Sequence, residues 1–382
     1  MVKTLEITSL AHGGHGVARL DAEVWFVPYA LPGDVVVAKA SRRARGVVWG
    51  SIESITQPSP YRTAAPCPVF GQCGGCTWLH FAYPAQLEWK RTIVAETLRR
   101  LGGIELADIN MLENDTLRLG YRTRAEFQSA RGKRGFYALG THDVVNIQEC
   151  PLCHPRLNAA LAWLREERIE GPVEITVNPE GDDVLAWTSR PNPRLSKIFP
   201  EAQSLRTEGP RDRFIFDGVP VVCGAFAQGS LLLNRLLRDH VTQCIGGASS
   251  VLDLYCGTGN FSLALEAEVL GIDHNRASIT AAVSMAKGEY RVGGEADLQA
   301  AISSRKWDAI VLDPPRDGAK NIALALAQCD AGVIVYVSCD PATLARDARI
   351  LHGAGWQVDT AAVVDMFPHT AHIESVLSFK RA

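Results

Sequence analysis

From residue 251 onward, short apolar runs alternate with longer stretches in which apolar residues recur at helical spacing. Such alternation is typical of a parallel β-sheet with helices on both faces. The four runs that read as buried strands are Val251–Leu254, Val269–Ile272, Ala309–Leu312 and Val333–Val337. We therefore predict a doubly wound α/β fold, in which ligands bind at the carboxyl ends of the strands.

The composition is that of an ordinary globular protein. The chain has 382 residues, of which 47% are apolar, and a formal net charge of −3. This charge excludes a general attraction to nucleic acid, so any such site must be a local basic patch. No apolar run has the length of a membrane span, and the first residues do not resemble a signal peptide. We therefore expect a cytoplasmic protein without membrane contact.

Two segments precede the α/β region. Residues 1–57 contain short runs separated by Gly and Pro turns, which predicts a compact β domain. Residues 58–225 begin with a proline-bearing linker, continue with a predicted helix over 83–101 and then become strand-rich; residues 226–382 form the third predicted domain. The strand-like runs of the first two segments are Leu5–Ile7, Glu23–Val27, Asp34–Ala38, Val47–Ile55, Arg122–Gln128, Val144–Ile147, Val173–Val177 and Val184–Thr188.

The first strand of the α/β region runs into a glycine-bearing turn. Gly257 and Gly259 would let the backbone approach a ligand closely, and we expect a helix that begins near Asn260 to present free N–H groups there. The third glycine of the dinucleotide fingerprint is missing, which disfavours NAD. The next strand leads to Asp273, an acid suited to accept hydrogen bonds from ribose hydroxyls.

Two further strands end in acidic or reactive residues. Asp313-Pro-Pro-Arg316 follows one of them, and Ser338-Cys-Asp-Pro341 ends the other. A free cysteine is most often a small buried hydrophobe, which is one interpretation of Cys339. Because the carboxyl ends of parallel strands open on one crevice, Cys339 is also placed to act as a nucleophile beside an acid.

Three cysteines lie within ten residues of one another in the central segment. Cys67, Cys73 and Cys76 are joined by a short loop that includes two glycines. In a reducing compartment such a group favours metal binding over disulfides, and thiolates select zinc or iron–sulfur clusters. Cys150 is the candidate fourth ligand, with Cys153 as its rival. The spacing alone does not separate the two metals.

Basic residues are concentrated in two places. Arg42, Arg43 and Arg45 form a short run in the first segment. A longer stretch in the central segment predicts either a stacking surface for single-stranded RNA or a solvated basic face whose aromatic side chains lie in the core. Its members are Arg118, Arg122, Arg124, Arg131, Lys133 and Arg134, with Tyr121, Phe127, Phe136 and Tyr137 between them.

Taken in order, these motifs resemble those of the RNA uracil-C5 methyltransferases that carry a TRAM domain and a [4Fe–4S] cluster. The resemblance spans nearly the whole chain, and its most specific parts lie at residues 313–316, 338–341 and 365–374. It implies an α/β protein with a class I, Rossmann-like methyltransferase domain, an N-terminal OB-like TRAM β-barrel and a mixed α+β central iron–sulfur domain.

The resemblance also implies roles for individual residues. It makes Cys339 the nucleophile and Glu374 the base, with S-adenosyl-L-methionine as methyl donor and RNA as partner. It favours a [4Fe–4S] cluster over zinc, held by Cys67, Cys73, Cys76 and Cys150. The contacts to S-adenosylmethionine that it implies are Gln228, Tyr255, Gly257, Asn260, Asp273, Asp297 and Asp313.

Three positions depart from the family's usual pattern. Tyr255 stands where Phe is common, and Gly229 and Ser230 follow Gln228 where an Asn is expected. Asp340 stands where Asn often follows the nucleophile, which changes the charge beside Cys339.

The chemistry of uracil explains why a thiol and a base are both needed. Addition of a thiolate to carbon 6 converts carbon 5, a poor nucleophile, into an enolate carbon that can attack a methyl group. Glu374 would then remove the carbon-5 proton, and its apolar neighbours Phe367 and Ile373 predict a raised pKa. His369 and His372 are close in sequence and are alternative bases.

The substrate is the least determined feature. The combination of a TRAM domain with a cluster favours 23S rRNA, whereas related enzymes with the same layout modify the T-loop of transfer RNA. Amino-group methylation of adenine or cytosine would not need Cys339, and a non-catalytic RNA-binding protein would need neither Cys339 nor Glu374. We expect a monomeric chain.

Overall fold

The computed structural model describes residues 1–188, 192, 194–195, 203–204 and 213–381. These residues contain a sheet from each of the three segments and a two-stranded hairpin. None of the helices in this part of the chain is long and apolar enough to cross a membrane.

The first sheet confirms the predicted N-terminal β domain. Its six strands lie in the order β1-β5-β6-β4-β3-β2. Because successive side chains of a strand point to opposite faces, one face of each strand supplies a core that includes Trp25, Val36 and Val48, all with no exposed surface. The strands are β1 (Val2–Glu6), β2 (Ser9–Leu10), β3 (Gly16–Leu20), β4 (Glu23–Val27), β5 (Val35–Ala44) and β6 (Val47–Gln57).

The central sheet carries a helix on one face. Its strand order is β10-β9-β8-β11-β12-β13. The helix α2 (Pro155–Glu166) buries Leu157, Leu161 and Leu164 in the same core as Val173 and Ile175. The strands are β8 (Arg124–Ala130), β9 (Lys133–Tyr137), β10 (Val144–Asn146), β11 (Val173–Val177), β12 (Val184–Thr188) and β13 (Gln203–Ser204), followed by the hairpin of β14 (Arg213–Phe216) and β15 (Val219–Val222).

The third sheet is the predicted doubly wound one. Its eight strands lie in the order β18-β17-β16-β19-β20-β22-β21-β7, and every neighbouring pair is parallel except the two that involve β22. The strands are β7 (Asn110–Leu112), β16 (Ser250–Leu254), β17 (Glu268–Asp273), β18 (Glu289–Val292), β19 (Trp307–Leu312), β20 (Ala331–Ser338), β21 (Trp356–Val364) and β22 (Glu374–Arg381). The helices between them are α3 (Asn234–Ile245), α4 (Arg276–Val283), α5 (Glu295–Ser303), α6 (Lys320–Ala327) and α7 (Pro341–Gly353).

The connections of this sheet determine where a ligand can bind. From β16 the chain passes outward to β17 and β18, then returns to the other side of β16 as β19 and β20. This reversal leaves a crevice at the carboxyl ends of β16 and β19, which is where open α/β sheets bind ligands.

Two elements of the predicted central segment belong structurally to the third sheet. The predicted helix over 83–101 is an α-helix, α1 (Tyr83–Thr97), that continues as a π-helical turn over Leu98–Gly102. Its Ile93, Val94 and Leu98 share a core with the sheet. The strand β7 then pairs in parallel with β21.

A buried ion pair joins α1 to the loop that precedes β22. The Nζ atom of Lys90 lies 2.6 Å from Oδ1 of Asp365 and donates to the Phe367 carbonyl oxygen at 3.0 Å. The Tyr83 hydroxyl donates to the other carboxylate oxygen of Asp365 at 2.8 Å. The Lys90 and Asp365 side chains are 1% and 0% exposed, so their charges are compensated by each other rather than by water.

The helix predicted to begin near Asn260 is absent from the described residues around this position. Residues 257–264 form a series of turns instead. Gly257 and Gly259 both have positive φ angles, 55° and 83°, and the Ser262 hydroxyl donates to the buried Asp253 carboxylate. The local hydrogen bonds therefore follow this side-chain contact and the glycine geometry, and no helix begins within residues 257–264.

The interpretation of the central aromatic residues as an RNA-stacking surface is wrong for most of them. Tyr121 and Phe127 have no exposed surface, and Phe136 stacks on Phe127 with ring centroids 5.4 Å apart. Arg134 is also buried, and Arg124 forms an ion pair with Glu174. The alternative, aromatic side chains in the core, holds for three of the four: Phe127 and Phe136 pack in the core that α2 covers and Tyr121 packs in a second core, whereas Tyr137 is 37% exposed.

Replacing Lys90 by methionine should strongly destabilise the protein. The substitution keeps the length of the side chain but leaves the buried Asp365 carboxylate without its cation, which typically costs about 3–5 kcal/mol. We expect a lower midpoint of urea unfolding. Lys287→Met is the control, because the Lys287–Glu266 ion pair is exposed on both sides and such pairs contribute little. Equal midpoints for the two variants would contradict this account.

Candidate active site and thiol pocket

The predicted nucleophile and base lie side by side at the end of the third sheet. Cys339 directly follows β20, and Glu374 is the first residue of β22. Because Ser338 pairs with Ser375 in the antiparallel ladder, Cys339 and Glu374 continue that register as neighbours. Asp313 follows β19, the strand on the other side of β20. The structure therefore brings these three predicted residues together.

Burial and mutual repulsion dominate the electrostatics of this group. Burial raises the pKa of Glu374 well above its usual range, and the Asp313 charge raises it further. Burial raises the pKa of Asp313 to about 7. The Cys339 thiol has its pKa raised to about 11 by burial first, then by Glu374 and Asp313, while Arg316 opposes the shift. The site thus keeps its thiol protonated when no substrate is bound.

The loop that carries Asp313 and Arg316 is held by α7. The Thr343 hydroxyl donates to the Arg316 carbonyl oxygen at 3.2 Å. The buried Asp347 accepts a hydrogen bond from the Ala319 backbone N–H at 2.8 Å and another from the Tyr336 hydroxyl at 2.8 Å. The loop is thereby fixed at both ends, since β19 holds its first residue.

The glycine turn lies at the end of β16 and is closed by the acid of the next strand. Tyr255 has a left-handed backbone, with φ of 60°, directly after the strand. The Gly257 N–H donates to Oδ2 of Asp273 at 3.0 Å. A Cβ atom at Gly259 would lie 2.5 Å from Cγ of Leu263, so only glycine fits the turn. Tyr255, Gly257 and Asp273 therefore line one edge of the crevice.

Two more of the predicted cofactor contacts lie near this turn. The Asn260 side-chain oxygen accepts a hydrogen bond from the Asn234 amide at 2.7 Å, which ties the turn to α3. Gln228 is 7% exposed, in a segment whose next residue, Gly229, accepts the Thr123 N–H. Gly229 also approaches the Phe367 ring, so this segment lies against the loop that leads to Glu374.

Asp297 is placed differently from the other predicted contacts. Its side chain is exposed, and its Oδ2 atom accepts the Gly294 N–H at 2.8 Å at the start of α5. In this arrangement the carboxylate caps its own helix. The Gly293 N–H donates to the Asp273 carbonyl oxygen, so the segment before α5 borders the crevice. The Asp297 carboxylate itself is bonded to the N-terminal end of α5.

A loop of the N-terminal sheet reaches the same site, which the sequence interpretation missed. Nδ1 of His12 lies 3.9 Å from Oδ2 of Asp340, the residue after Cys339. The Gly14 carbonyl oxygen accepts a hydrogen bond from the Trp78 indole at 3.2 Å. The sequence predicts only a turn at Gly13-Gly14. No local pattern indicates which residues a turn contacts in the folded chain.

The four predicted metal ligands line a single pocket, which we call the thiol pocket. Cys67, Cys73, Cys76 and Cys150 face it, together with Phe70, Phe136 and Arg122. The charges of Cys150, Cys73 and Cys67 all raise the pKa of Cys76, whose value reaches about 12 with burial as the main cause. The structure therefore brings the separated Cys150 to the other three cysteines.

The thiol pocket also contains an unsatisfied donor. The buried Nε atom of Arg122 has no hydrogen-bond partner in the part of the chain that the structure describes. A cation with an unused donor, facing four thiols, suits an anionic group at this position. Among the described residues, no group of three or more His, Cys, Asp or Glu side chains is arranged to hold a metal ion directly.

The fold and the crevice define a class of enzyme. A glycine turn after the first strand, an acid at the end of the second and an acid-Pro-Pro loop beside a thiol are the features of a class I S-adenosylmethionine-dependent methyltransferase. Family models agree: residues 2–52 match the TRAM domain, and residues 296–382 match the tRNA (uracil-5-)-methyltransferase family.

The chain belongs to the RNA uracil-C5 methyltransferase family. It is 33% identical to the 23S rRNA (uracil(1939)-C(5))-methyltransferase RlmD of Halomonas elongata, over 98% of this chain and 89% of that protein. It is 30% identical to the enzyme of the same name from Thiobacillus denitrificans, over 100% of both chains. The Pyrococcus abyssi tRNA (uracil-54, C5)-methyltransferase, solved in complex with S-adenosyl-L-homocysteine, superposes with a TM-score of 0.76 at 25% identity, over 99% of this chain and 100% of that one.

Replacing Gly14 by alanine should impair methyl transfer more than it impairs folding. The added Cβ would lie 2.4 Å from Cβ of Ala371, so the N-terminal loop would be pushed away from the loop before Glu374. Displacements of about 1 Å at an active site can cost about 100-fold in rate. We expect a clear loss of kcat on RNA, and a decrease of the unfolding midpoint no larger than the strain of a left-handed alanine causes.

Gly355→Ala is the matched control for this substitution. Gly355 also has a positive φ, of 90°, but a Cβ atom there would meet nothing within 4 Å. Both variants thus carry the backbone strain of a left-handed alanine, and only one carries the clash. If the two lost the same fraction of kcat, strain alone would explain the effect and the contact would not matter.

Proposed function

We propose that this enzyme methylates carbon 5 of a uridine in 23S rRNA, at the position equivalent to uridine 1939. The observation that carries the proposal is the end-to-end similarity to enzymes of that name, which extends over all three sheets. Transfer RNA is the second candidate, because the tRNA (uracil-54, C5)-methyltransferase of Pyrococcus abyssi has the same overall architecture.

In the proposed reaction Cys339 supplies the nucleophile. Its thiolate bonds to carbon 6 of uracil, and the displaced electron pair makes carbon 5 nucleophilic. Carbon 5 then attacks the methyl group of S-adenosylmethionine, whose sulfonium becomes a neutral thioether as the carbon–sulfur bond breaks. Removal of the carbon-5 proton finally expels the Cys339 thiolate and restores the ring.

Glu374 is the group best placed to remove that proton. It lies beside Cys339, and its raised pKa makes its carboxylate a stronger base than an exposed glutamate. His369 is a weaker candidate, because its Nδ1 atom is 3.0 Å from the Gln86 amide of α1. Burial lowers the pKa of His372 to about 4, which makes its neutral ring a poor base.

The methyl donor would occupy the crevice between the glycine turn and the loop after β19. Asp273 suits the ribose hydroxyls, Gly257 lets the backbone approach, and the Tyr255 ring offers an apolar wall. Gln228, Asn260 and Asp313 complete the proposed contacts. Asp297 would contribute through the helix end that it caps rather than through its own carboxylate.

The thiol pocket would hold an iron–sulfur cluster through Cys67, Cys73, Cys76 and Cys150. The four thiols and the unsatisfied Arg122 donor support this assignment, because such clusters are anionic and take four thiolates. When bound, the cluster would supply a covalent link between the loop of residues 67–76 and Cys150. Iron and sulfide analysis of anaerobically purified protein tests it.

RNA would contact the exposed basic end of the N-terminal sheet. Arg42, Arg43 and Arg45 are exposed on the β5–β6 hairpin, where the Arg42 guanidinium lies 4.7 Å from the centroid of the Trp49 ring. This local patch supplies the positive charge that the whole chain lacks. The target uridine must leave any duplex for Cys339 to reach carbon 6.

The rate of methylation should rise with pH. Glu374 must be deprotonated to act as a base, and Cys339 must be deprotonated to attack, and both groups have pKa values raised in the free enzyme. Both requirements are therefore met better as pH increases, so kcat/KM should increase from about pH 6 to pH 9. A profile that falls over this range would exclude the proposed pair.

Glu374→Gln should separate the two steps. Cys339 could still attack and the methyl group could still transfer, but the proton would remain on carbon 5. We expect a covalent enzyme–RNA adduct that survives a denaturing gel, with turnover strongly reduced. Glu266→Gln, at an exposed position, is the control and should release product normally. A Glu374→Gln enzyme with normal turnover and no adduct would rule out the base assignment.

Mapping of 5-methyluridine identifies the substrate. Deletion of the gene should remove the modification from 23S rRNA, and the wild-type gene should restore it while a Cys339→Ala gene should not. Mass spectrometry of separated rRNA and tRNA gives the answer directly. Loss from tRNA alone would replace the first candidate by the second.

A further inference from the structure

Tyr29 has an unusual backbone in the turn between β4 and β5. Its φ angle is 62°, a left-handed conformation that a bulky side chain rarely adopts. Its carbonyl oxygen accepts a hydrogen bond from an Arg62 guanidinium nitrogen at 2.8 Å and lies 2.9 Å from Nε2 of His80. Strain of this kind persists only where the surroundings determine it, and it concentrates at functional sites.

This backbone places the Tyr29 ring against the wall of the thiol pocket. The ring meets Phe70 edge to face, with centroids 5.4 Å apart and planes at 78°. Phe70 lines the pocket and forms a β-bridge with Cys73. An aromatic side chain from the turn after β4 thus packs on a residue that lines the thiol pocket.

The hydroxyl of Tyr29 is the unexplained part of this arrangement. It is buried and has no hydrogen-bond partner among the described residues. A buried hydroxyl without a partner is destabilising, so a native protein seldom retains one without a reason. Burial is the main cause of the raised pKa of Tyr29, and the charges of Cys76 and Cys73 add to the shift.

We propose that the Tyr29 hydroxyl donates a hydrogen bond to a sulfur atom of the cluster in the thiol pocket. The proposal rests on the iron–sulfur assignment made above. A tyrosine hydroxyl is a good donor, and both cysteinate and sulfide sulfurs carry the negative charge that accepts it. Tyr29 is then a positioning and tuning residue, through which the RNA-binding sheet contacts the cluster.

Such a hydrogen bond has a definite electrochemical consequence. Hydrogen bonds to the sulfurs help to set the reduction potential of a cluster, because they stabilise the more negative, reduced state. Removing the donor should therefore lower the midpoint potential. A purely packing role for the ring would leave the potential unchanged, since phenylalanine fills nearly the same space.

The test compares Tyr29→Phe with wild type as anaerobically purified, cluster-containing full-length protein. We expect a lower midpoint potential in a spectroelectrochemical titration and a faster loss of visible absorbance in air. Tyr61→Phe is the matched control, because Tyr61 is 45% exposed and packs on Phe81 outside the thiol pocket. Its potential should equal that of wild type. Equal potentials for Tyr29→Phe and wild type, both loaded, would overturn the proposal.

A second substitution keeps the test decisive if Tyr29→Phe loads poorly. Site-specific incorporation of 3-fluorotyrosine at position 29 retains the hydroxyl and makes it a stronger donor, so the potential should rise above that of wild type. No rise would also overturn the proposal. Failure of the cluster assignment is distinguishable, because wild-type protein would then contain no iron and no sulfide at all.

Discussion

The buried ion pair of Lys90 and Asp365 is the contact on which the geometry of the active site depends. Asp365 begins the loop that leads to Glu374, and Lys90 holds both this carboxylate and the Phe367 carbonyl oxygen. Gln86, one turn earlier on α1, accepts the His369 N–H at 2.9 Å. A helix whose Lys90 lies 275 residues before Asp365 along the chain therefore orients the loop before the proposed base. Two buried charges are costly to desolvate, and here that cost is offset by their mutual attraction and by the hydrogen bonds that Tyr83 and the Phe367 carbonyl oxygen add.

Burial of acidic side chains also determines the electrostatics of the crevice. Asp253, Asp313 and Glu374 all have raised pKa values, and burial is the largest cause for each. Crowded carboxyl groups in a poorly solvated site cannot all be ionised, which leaves protons available for exchange at neutral pH. Arg316 is the cation whose charge lowers the pKa values of both Cys339 and Glu374. Because the thiolate is the form that oxidants attack, a thiol with a raised pKa is less exposed to oxidation.

The three sheets are connected through small, specific contacts rather than through linkers alone. One loop of the N-terminal sheet lies next to Asp340 and Ala371. A second turn of that sheet packs Tyr29 against Phe70, which lines the thiol pocket. The central segment in turn reaches the catalytic loop through the Tyr121 hydroxyl, which donates to the Pro368 carbonyl oxygen at 3.0 Å. The first sheet thus contacts both the loop before Glu374 and the residue after Cys339. The central segment therefore helps to position the loop that leads to Glu374.

The sequence by itself determined the features that depend on neighbours along the chain. Strand runs of period two were located well: Glu23–Val27, Val173–Val177 and Val184–Thr188 have the predicted bounds. The sequence also predicted the doubly wound sheet, the acid and the thiol at its strand ends, and the group of three cysteines. Each of these is a local pattern. The family resemblance added the expected partners Glu374 and Cys150, which the fold brings to Cys339 and to the other three cysteines.

Only the tertiary structure decided which local patterns were overridden. The turn after β16 is not a helix, because the Ser262 hydroxyl bonds Asp253 and two glycines adopt positive φ angles there. Phe127 is buried because it packs in the core beneath α2. Lys90 and Asp365, which are 275 residues apart, could not be paired from sequence, nor could Gly14 with Ala371 or Tyr29 with the thiol pocket. The physical reason is the same in each case: periodicity reports the face on which a residue lies, whereas the partner on that face is chosen by how the whole chain packs.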